Sequence, residues 1–123
     1  MAKASAKVKN LPMSARKARL VADLVRGKNV VDARDILQFT QKAAAEPIRK
    51  LLNSAVANAE NEAAGRHERI DTDEMVVGMI RVNEGRTLNR WRASARGRGM
   101  RIRNRSCHVE MELTETASAR FEA

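Results

Sequence analysis

Residues 85–105 read GRTLNRWRASARGRGMRIRNR, with eight arginines in 21 residues, and no acid occurs from Gly85 through Val109. Two strand patterns bracket this stretch. CHVEMEL, residues 107–113, alternates cleanly, with Cys107, Val109, Met111 and Leu113 on one side and His108, Glu110 and Glu112 on the other. MVVGMIRVN, residues 75–83, sets Val76, Gly78, Ile80 and Val82 against Met75, Val77, Met79 and Arg81. Both sets begin apolar, as in a half-covered strand. Residues 84–106 between them show no helical period and no two-residue turn. A loop of that length is uncommon inside a compact domain. The economical reading is that both strands run on as one antiparallel hairpin, about ten residues per arm and roughly 30 Å long at ~3.3 Å per residue. Its tip is expected near Leu88–Ala95, with Gly97 and Gly99 bending the returning arm.

A two-stranded ribbon is marginal in water. The pairs Arg90 and Arg92, Arg96 and Arg98, and the run Arg101, Arg103, Arg105 are expected to cluster like charges on each face. The arm should therefore be mobile when free and ordered against an anion. All eight cations are arginine. Guanidinium binds phosphate bidentately and stacks on bases, which an ammonium does not. Nucleic acid is favoured over an acidic protein, and RNA over DNA, because arginine-rich segments that order on binding are common RNA readers. Trp91 has two readings: it stacks on a base or a neighbouring side chain, or it packs across the hairpin.

Charge elsewhere follows the same division. The chain has 123 residues and a net charge of +9. Residues 1–28 hold eight Lys/Arg and one Asp, and residues 85–105 hold eight Arg and no acid, leaving a mildly acidic remainder. Positive charge concentrated in two places points to a polyanionic partner. A length of this order fits one domain, and the hydrophobic fraction of 43% argues against wholesale disorder. Aromatics make up only 2%, so Leu, Ile, Val, Met and Ala must build the core.

KASAKVK, residues 3–9, places Ala4, Ala6 and Val8 opposite Lys3, Ser5, Lys7 and Lys9, a short strand with a basic outer face. Pro12 ends it, and Ser14 can cap a helix. That helix is expected over about Ala15–Arg26, with Ala18, Val21, Ala22 and Val25 inward and Leu20 and Leu24 widening the stripe. Arg16, Lys17 and Arg19 lie in its first two turns, where the macrodipole favours anions. A phosphate bound near Ser14 would suit both the cations and the free amides; a solvated basic face accounts for them equally. Gly27 is a left-handed stop. A short helix follows over about Val31–Phe39 with Ala33, Ile36 and Leu37 inward, and Thr40 is positioned to cap the next. The longest helix spans about Ala43–Ala64, beginning nearer Ala45 if Pro47 is to sit in its first turn, and Gly65 ends it. Residues 116–123 are expected to fray.

Catalytic and metal chemistry find no support. Cys107 is the only cysteine, so it reads as a buried structural thiol, and neither His67 nor His108 has a partner at ligand spacing. No enzyme, cofactor or metal is expected. No apolar run is long enough to span a membrane, and residues 1–11 lack the apolar segment of a secretory signal.

Three segments are familiar. Ser14-x-x-Lys17-x-Arg19-Leu20-Val21-Ala22-Asp23-Leu24-Val25-Arg26-Gly27-Lys28 resembles the opening helix of large-subunit ribosomal protein family twenty-two. Residues 51–61, LLNSAVANAEN, resemble that family's long helix. Val82-Asn83-Glu84-Gly85, Arg96-Gly97-Arg98 and Arg105-Ser106-Cys107-His108 resemble its hairpin. The likeness runs over about residues 3–115. It implies an α+β fold, with three helices packed on a small three-stranded antiparallel sheet and a long protruding hairpin over about residues 82–108, all in one RNA-binding domain over residues 1–116. It implies a structural constituent of the large ribosomal subunit, ribosome-bound in the cytoplasm. Its partners would be large-subunit ribosomal RNA, neighbouring ribosomal proteins and, transiently, the nascent peptide. The expected RNA-binding residues are Lys3, Lys7, Lys9, Ser14, Arg16, Lys17, Arg19, Arg86, Arg90, Arg92, Arg96, Arg98, Arg101, Arg103 and Arg105. Carried over by position, the tip lining the peptide exit tunnel would be Leu88, Asn89, Arg90, Trp91, Arg92, Ala93 and Ser94. The chain departs from the family's pattern at Ala93-Ser94-Ala95 and at Trp91. Its short length and lack of a transit segment fit the bacterial form. The competing reading is an architectural DNA-binding protein with β-ribbon arms, in which Trp91 would serve as a wedge.

Overall fold

The computed structural model describes residues 3–67 and 71–115; the frayed tail expected over 116–123 lies outside them. Along the chain run β1 (Lys3–Leu11), α1 (Ala15–Val25), α2 (Val30–Phe39), α3 (Ala45–Gly65), β2 (Val76–Glu84), β3 (Leu88–Ala93), β4 (Gly99–Asn104) and β5 (Cys107–Thr114). Short 3-10 turns occupy Thr72–Glu74 and Ala95–Gly97. The three helices and the α+β class match the sequence reading. The strands differ from it: they form a three-stranded antiparallel sheet in the order β1-β5-β2 and a separate two-stranded ribbon of β3 and β4.

β5 is the central strand, and its alternation is kept throughout. Cys107, Val109, Met111 and Leu113 are buried, while His108, Glu110 and Glu112 face the polar side of the sheet. Helices cover one face only, the usual arrangement for an antiparallel sheet with one solvated face. α1 contributes Ala18, Val21, Ala22 and Val25, and α3 contributes Ile48, Leu52, Ala55 and Ala59, all at helical spacing. Pro47 sits in the first turn of α3, where its missing N–H is not needed. Leu20 and Leu24, expected to widen the inward stripe of α1, are exposed instead. Helical spacing alone does not fix how wide a face its neighbours cover.

Two bulges correct the simple alternation. On β2, Val77 pairs with Leu113 but Met79 pairs with Glu112, so one extra residue enters at Gly78. The inward residues are therefore Met75 and Val77 from one alternating set and Ile80 and Val82 from the other. On β1, Val8 pairs with Val109 and Leu11 with Cys107, leaving Asn10 in the left-handed region at φ 58°. The Nδ1 atom of His108 accepts the Asn10 N–H at 3.0 Å, which holds that bulge.

The caps show the same mixture. Gly27 is left-handed at φ 76°, as expected. Gly65 is the last residue of α3, as expected, and the left-handed residue after it is His67 at φ 57°. Thr40 closes α2 by donating its hydroxyl to the Ile36 carbonyl and does not cap α3, whose N-cap is Ala44.

Candidate nucleic-acid interface

β2 and β5 do not run uninterrupted into the ribbon. The ladder reaches Glu84 opposite Cys107, breaks, and resumes at Leu88 opposite Asn104. At the break the Gly85 N–H donates to the Ser106 carbonyl at 2.9 Å, and the Ser106 hydroxyl donates to the Arg86 carbonyl at 2.6 Å. A Cβ on residue 85 would lie 2.7 Å from Ser106 Oγ and 3.1 Å from the His108 ring, so any larger residue would displace the Ser106 hydroxyl that bonds the Arg86 carbonyl. The joint shortens the regular part of the arm to six residue pairs, about 20 Å at ~3.3 Å per residue.

The hairpin tip lies further along the chain than Leu88–Ala95. Leu88–Ala93 is the outgoing strand, and the chain reverses between Ser94 and Arg98, where the Ser94 N–H donates to the Arg98 carbonyl at 2.7 Å. Arg96 and Gly97 are both left-handed, at φ 60° and 70°. Gly97 adopts that conformation freely; an arginine there costs on the order of 1–2 kcal/mol. Gly97 is thus part of the turn and not a bend in the returning strand. Of Leu88–Ala95, only Ser94 and Ala95 belong to the reversal.

Register decides what each ribbon face offers. Arg90 opposes Ile102 and Arg92 opposes Met100 on one face, with Leu88 below them. Trp91 opposes Arg101 and Asn89 opposes Arg103 on the other. No arginine faces another directly across the strands. The like-charge crowding expected from the spacing is therefore relieved by the register, since directly opposed like charges are the costly arrangement. Arg90 also donates to the Asn89 carbonyl at 3.0 Å. None of the eight arginines from Arg86 to Arg105 has a carboxylate within ion-pair distance among the described residues.

The N-terminal cations are distributed differently. Lys7 meets Glu110 at 2.8 Å and Lys3 meets Glu112 at 3.6 Å across the β1–β5 pair. Lys7 holds the Glu110 carboxyl below the usual glutamate range, by hydrogen bond first and by charge second. Arg19 donates through Nε and Nη2 to the Val82 carbonyl, at 3.3 and 3.1 Å. Seven residues on, Arg26 bonds the Ile80 carbonyl at 3.0 Å and pairs with Asp23. These two guanidiniums tie α1 to the open edge of β2. Arg26 did not figure among the candidate residues, and its helical spacing from Arg19 was the available sign. Arg19 thus has a structural task that its sequence position did not reveal. Lys9, Arg16 and Lys17 remain exposed.

The two basic segments meet at the foot of the ribbon. Ser14 Oγ caps α1 by accepting the Lys17 N–H at 3.4 Å. A cleft of about 380 Å³ opens beside it, lined by Ser14, Arg16, Glu84, Thr87, Arg105 and Ser106. So Ser14 and Arg16, distant in sequence from Arg105, share one surface with it.

Behind this surface Cys107 is fully buried. Burial pushes its thiol pKa up, against a smaller opposing effect from Arg19, so it remains an unreactive core residue. Among the described residues no group of three or more His, Cys, Asp or Glu side chains could hold a metal ion, and no helix is long and apolar enough to cross a membrane.

Comparison with known proteins agrees with this arrangement. The family model described as ribosomal protein L22p/L17e matches residues 6–114. The large ribosomal subunit protein uL22 of Desulfitobacterium hafniense (strain DSM 10664 / DCB-2) is 48% identical over 115 residues, covering 94% of this chain and 96% of that protein. On both grounds the chain belongs to the ribosomal protein L22p/L17e family.

Proposed function

We propose that this protein is a structural constituent of the large ribosomal subunit, a single RNA-binding domain over residues 1–116 that acts by neutralising phosphate. The observation that carries this reading is the arginine-rich segment of residues 86–105, whose eight arginines have no acidic partner among the described residues. Lys9, Arg16 and Lys17 extend the same surface past the cleft at the foot of the ribbon. Lys3 and Lys7, paired with glutamates of β5, are offered to phosphate only if they exchange those partners. Neighbouring large-subunit proteins complete its surroundings, and its place is on cytoplasmic ribosomes. The outer ribbon, Leu88 to Ser94 together with the turn beyond, lines the nascent-peptide exit tunnel and meets the emerging chain transiently. The role is architectural and not catalytic.

The test is salt dependence. With six to eight arginines on phosphates, the log–log slope of RNA affinity against salt should be on the order of −5; a slope near zero removes the phosphate reading. Sucrose-gradient sedimentation in high salt should carry the protein with large subunits. Competition with duplex DNA should leave it on ribosomal RNA; a clear preference for DNA would instead support an architectural DNA-binding role.

A further inference from the structure

We propose that the open face of Trp91 is a stacking site for one unpaired RNA nucleobase, with Arg101 and Arg103 holding the adjoining phosphates. The inference rests on the RNA-binding reading above and adds a defined subsite to it. Trp91 is the only tryptophan in a chain that has no tyrosine. It is 74% exposed, although an aromatic side chain gains most from burial. The six-carbon ring of its indole lies over Gly99: a Cβ there would sit 3.5 Å from Cε3 and 3.9 Å from Cζ3. The protein's own backbone therefore supports the ring and leaves the rest of it to solvent.

The register surrounds that ring with the correct chemistry. Arg101 is directly opposite, Arg103 follows two residues along β4, and Asn89 faces Arg103, all on the same side of the ribbon. The far end of this face, Ala93 opposite Gly99, carries no bulk. A flat ligand can thus approach an aromatic surface with two guanidiniums on the same face, in a segment without an acid from Gly85 through Val109. Base–aromatic stacking combined with a cationic track is the common mode for single-stranded nucleic acid, and it tolerates any base because every base has a π-face. A base inside a duplex offers no free face, so the ligand is an unstacked nucleotide. The other ribbon face sets Arg90 opposite Ile102 and Arg92 opposite Met100, with Leu88 next along β3. It can bind phosphate but has no ring on which to stack.

The lone indole supplies the readout. The full chain is titrated with an adenosine octaribonucleotide and with a ribose-phosphate octamer lacking bases, while anisotropy of end-labelled oligomers reports binding separately. Both should bind with similar salt slopes, but only the adenosine oligomer should quench the tryptophan emission strongly. Trp91→Ala should weaken the adenosine oligomer about tenfold and leave the base-free oligomer unchanged. Trp91→Phe should restore most of the loss, and Met100→Ala on the opposite face should change neither. Equal quenching by both oligomers, or equal weakening of both by Trp91→Ala, overturns the stacking site and leaves the phosphate reading intact. Failure of the unmodified chain to bind either oligomer overturns both.

Discussion

The molecule contains two antiparallel sheets that treat positive charge in opposite ways. In β1-β5-β2, one face is buried under helices and four of the cations around it are engaged internally, Lys3 and Lys7 by glutamates of β5, Arg19 and Arg26 by carbonyls of β2, while Lys9, Arg16 and Lys17 stay exposed. In β3-β4 no residue is buried, and among the described residues no arginine there meets a carboxylate. Lys3, Lys7, Arg19 and Arg26 find their partners by folding. The ribbon arginines can do so only by binding, so they keep exchangeable counterions whose release drives association with a polyanion. A basic residue in this chain therefore cannot be assigned to RNA by its charge alone. What separates the two groups is whether a glutamate or a carbonyl of another element lies within reach.

The largest effect on stability should come from the body's core. Leu52 is fully buried in α3, and Leu52→Ala should cost about 2–5 kcal/mol in a denaturant melt while leaving the salt slope of RNA binding unchanged in the folded fraction. Next comes a cation with an internal task. Arg19→Gln removes two bonds to Val82 and should destabilise the fold by about 1 kcal/mol; an unchanged midpoint would mean that Arg19 belongs with the ribbon cations. The double substitution Arg101→Gln with Arg103→Gln should show the reverse pattern. It should leave unfolding within about 0.5 kcal/mol of the parent and lower the magnitude of the RNA salt slope by roughly 1.5. The smallest effect concerns Glu110. Its carboxyl pKa is lowered in the folded state, so the Lys7 pair contributes above the ordinary glutamate pKa and is lost as pH falls through the lowered value. Acid melts of Glu110→Gln should accordingly lose a slight part of the parent's decline below about pH 4, a difference confined to the body.

Much of this division was legible in the sequence, and the gaps have physical causes. The helices of residues 15–65 and the central strand at 107–113 followed from apolar periodicity, because each buries one face against one partner layer. The bulge at Gly78 was hidden because Val76, Val77, Met79 and Ile80 are apolar on both sides, so either register satisfies the pattern. The ribbon turn was misplaced because half of its left-handed pair is an arginine, Arg96, a residue type that does not signal φ > 0. The concentration of arginine was plain, but its face-by-face arrangement depended on a joint at Gly85 and Ser106 with no local signature. The internal bonds of Lys3, Lys7 and Arg19 depended on tertiary neighbours and could not be read from composition. The resemblance to the ribosomal family carried the functional assignment further than charge alone could have done.

The most direct test is amide hydrogen exchange on the full chain, with and without large-subunit ribosomal RNA. A two-stranded ribbon without a buried face is marginal alone, whereas central-strand amides exchange only through large-scale opening. The account predicts slow exchange in Cys107–Thr114 under both conditions. It predicts fast exchange over residues 88–104 in the free protein, slowed at least ~10-fold by RNA as those residues open less often. Ribbon amides already as slow as those of β5 without RNA, or unchanged when RNA is bound, would contradict it.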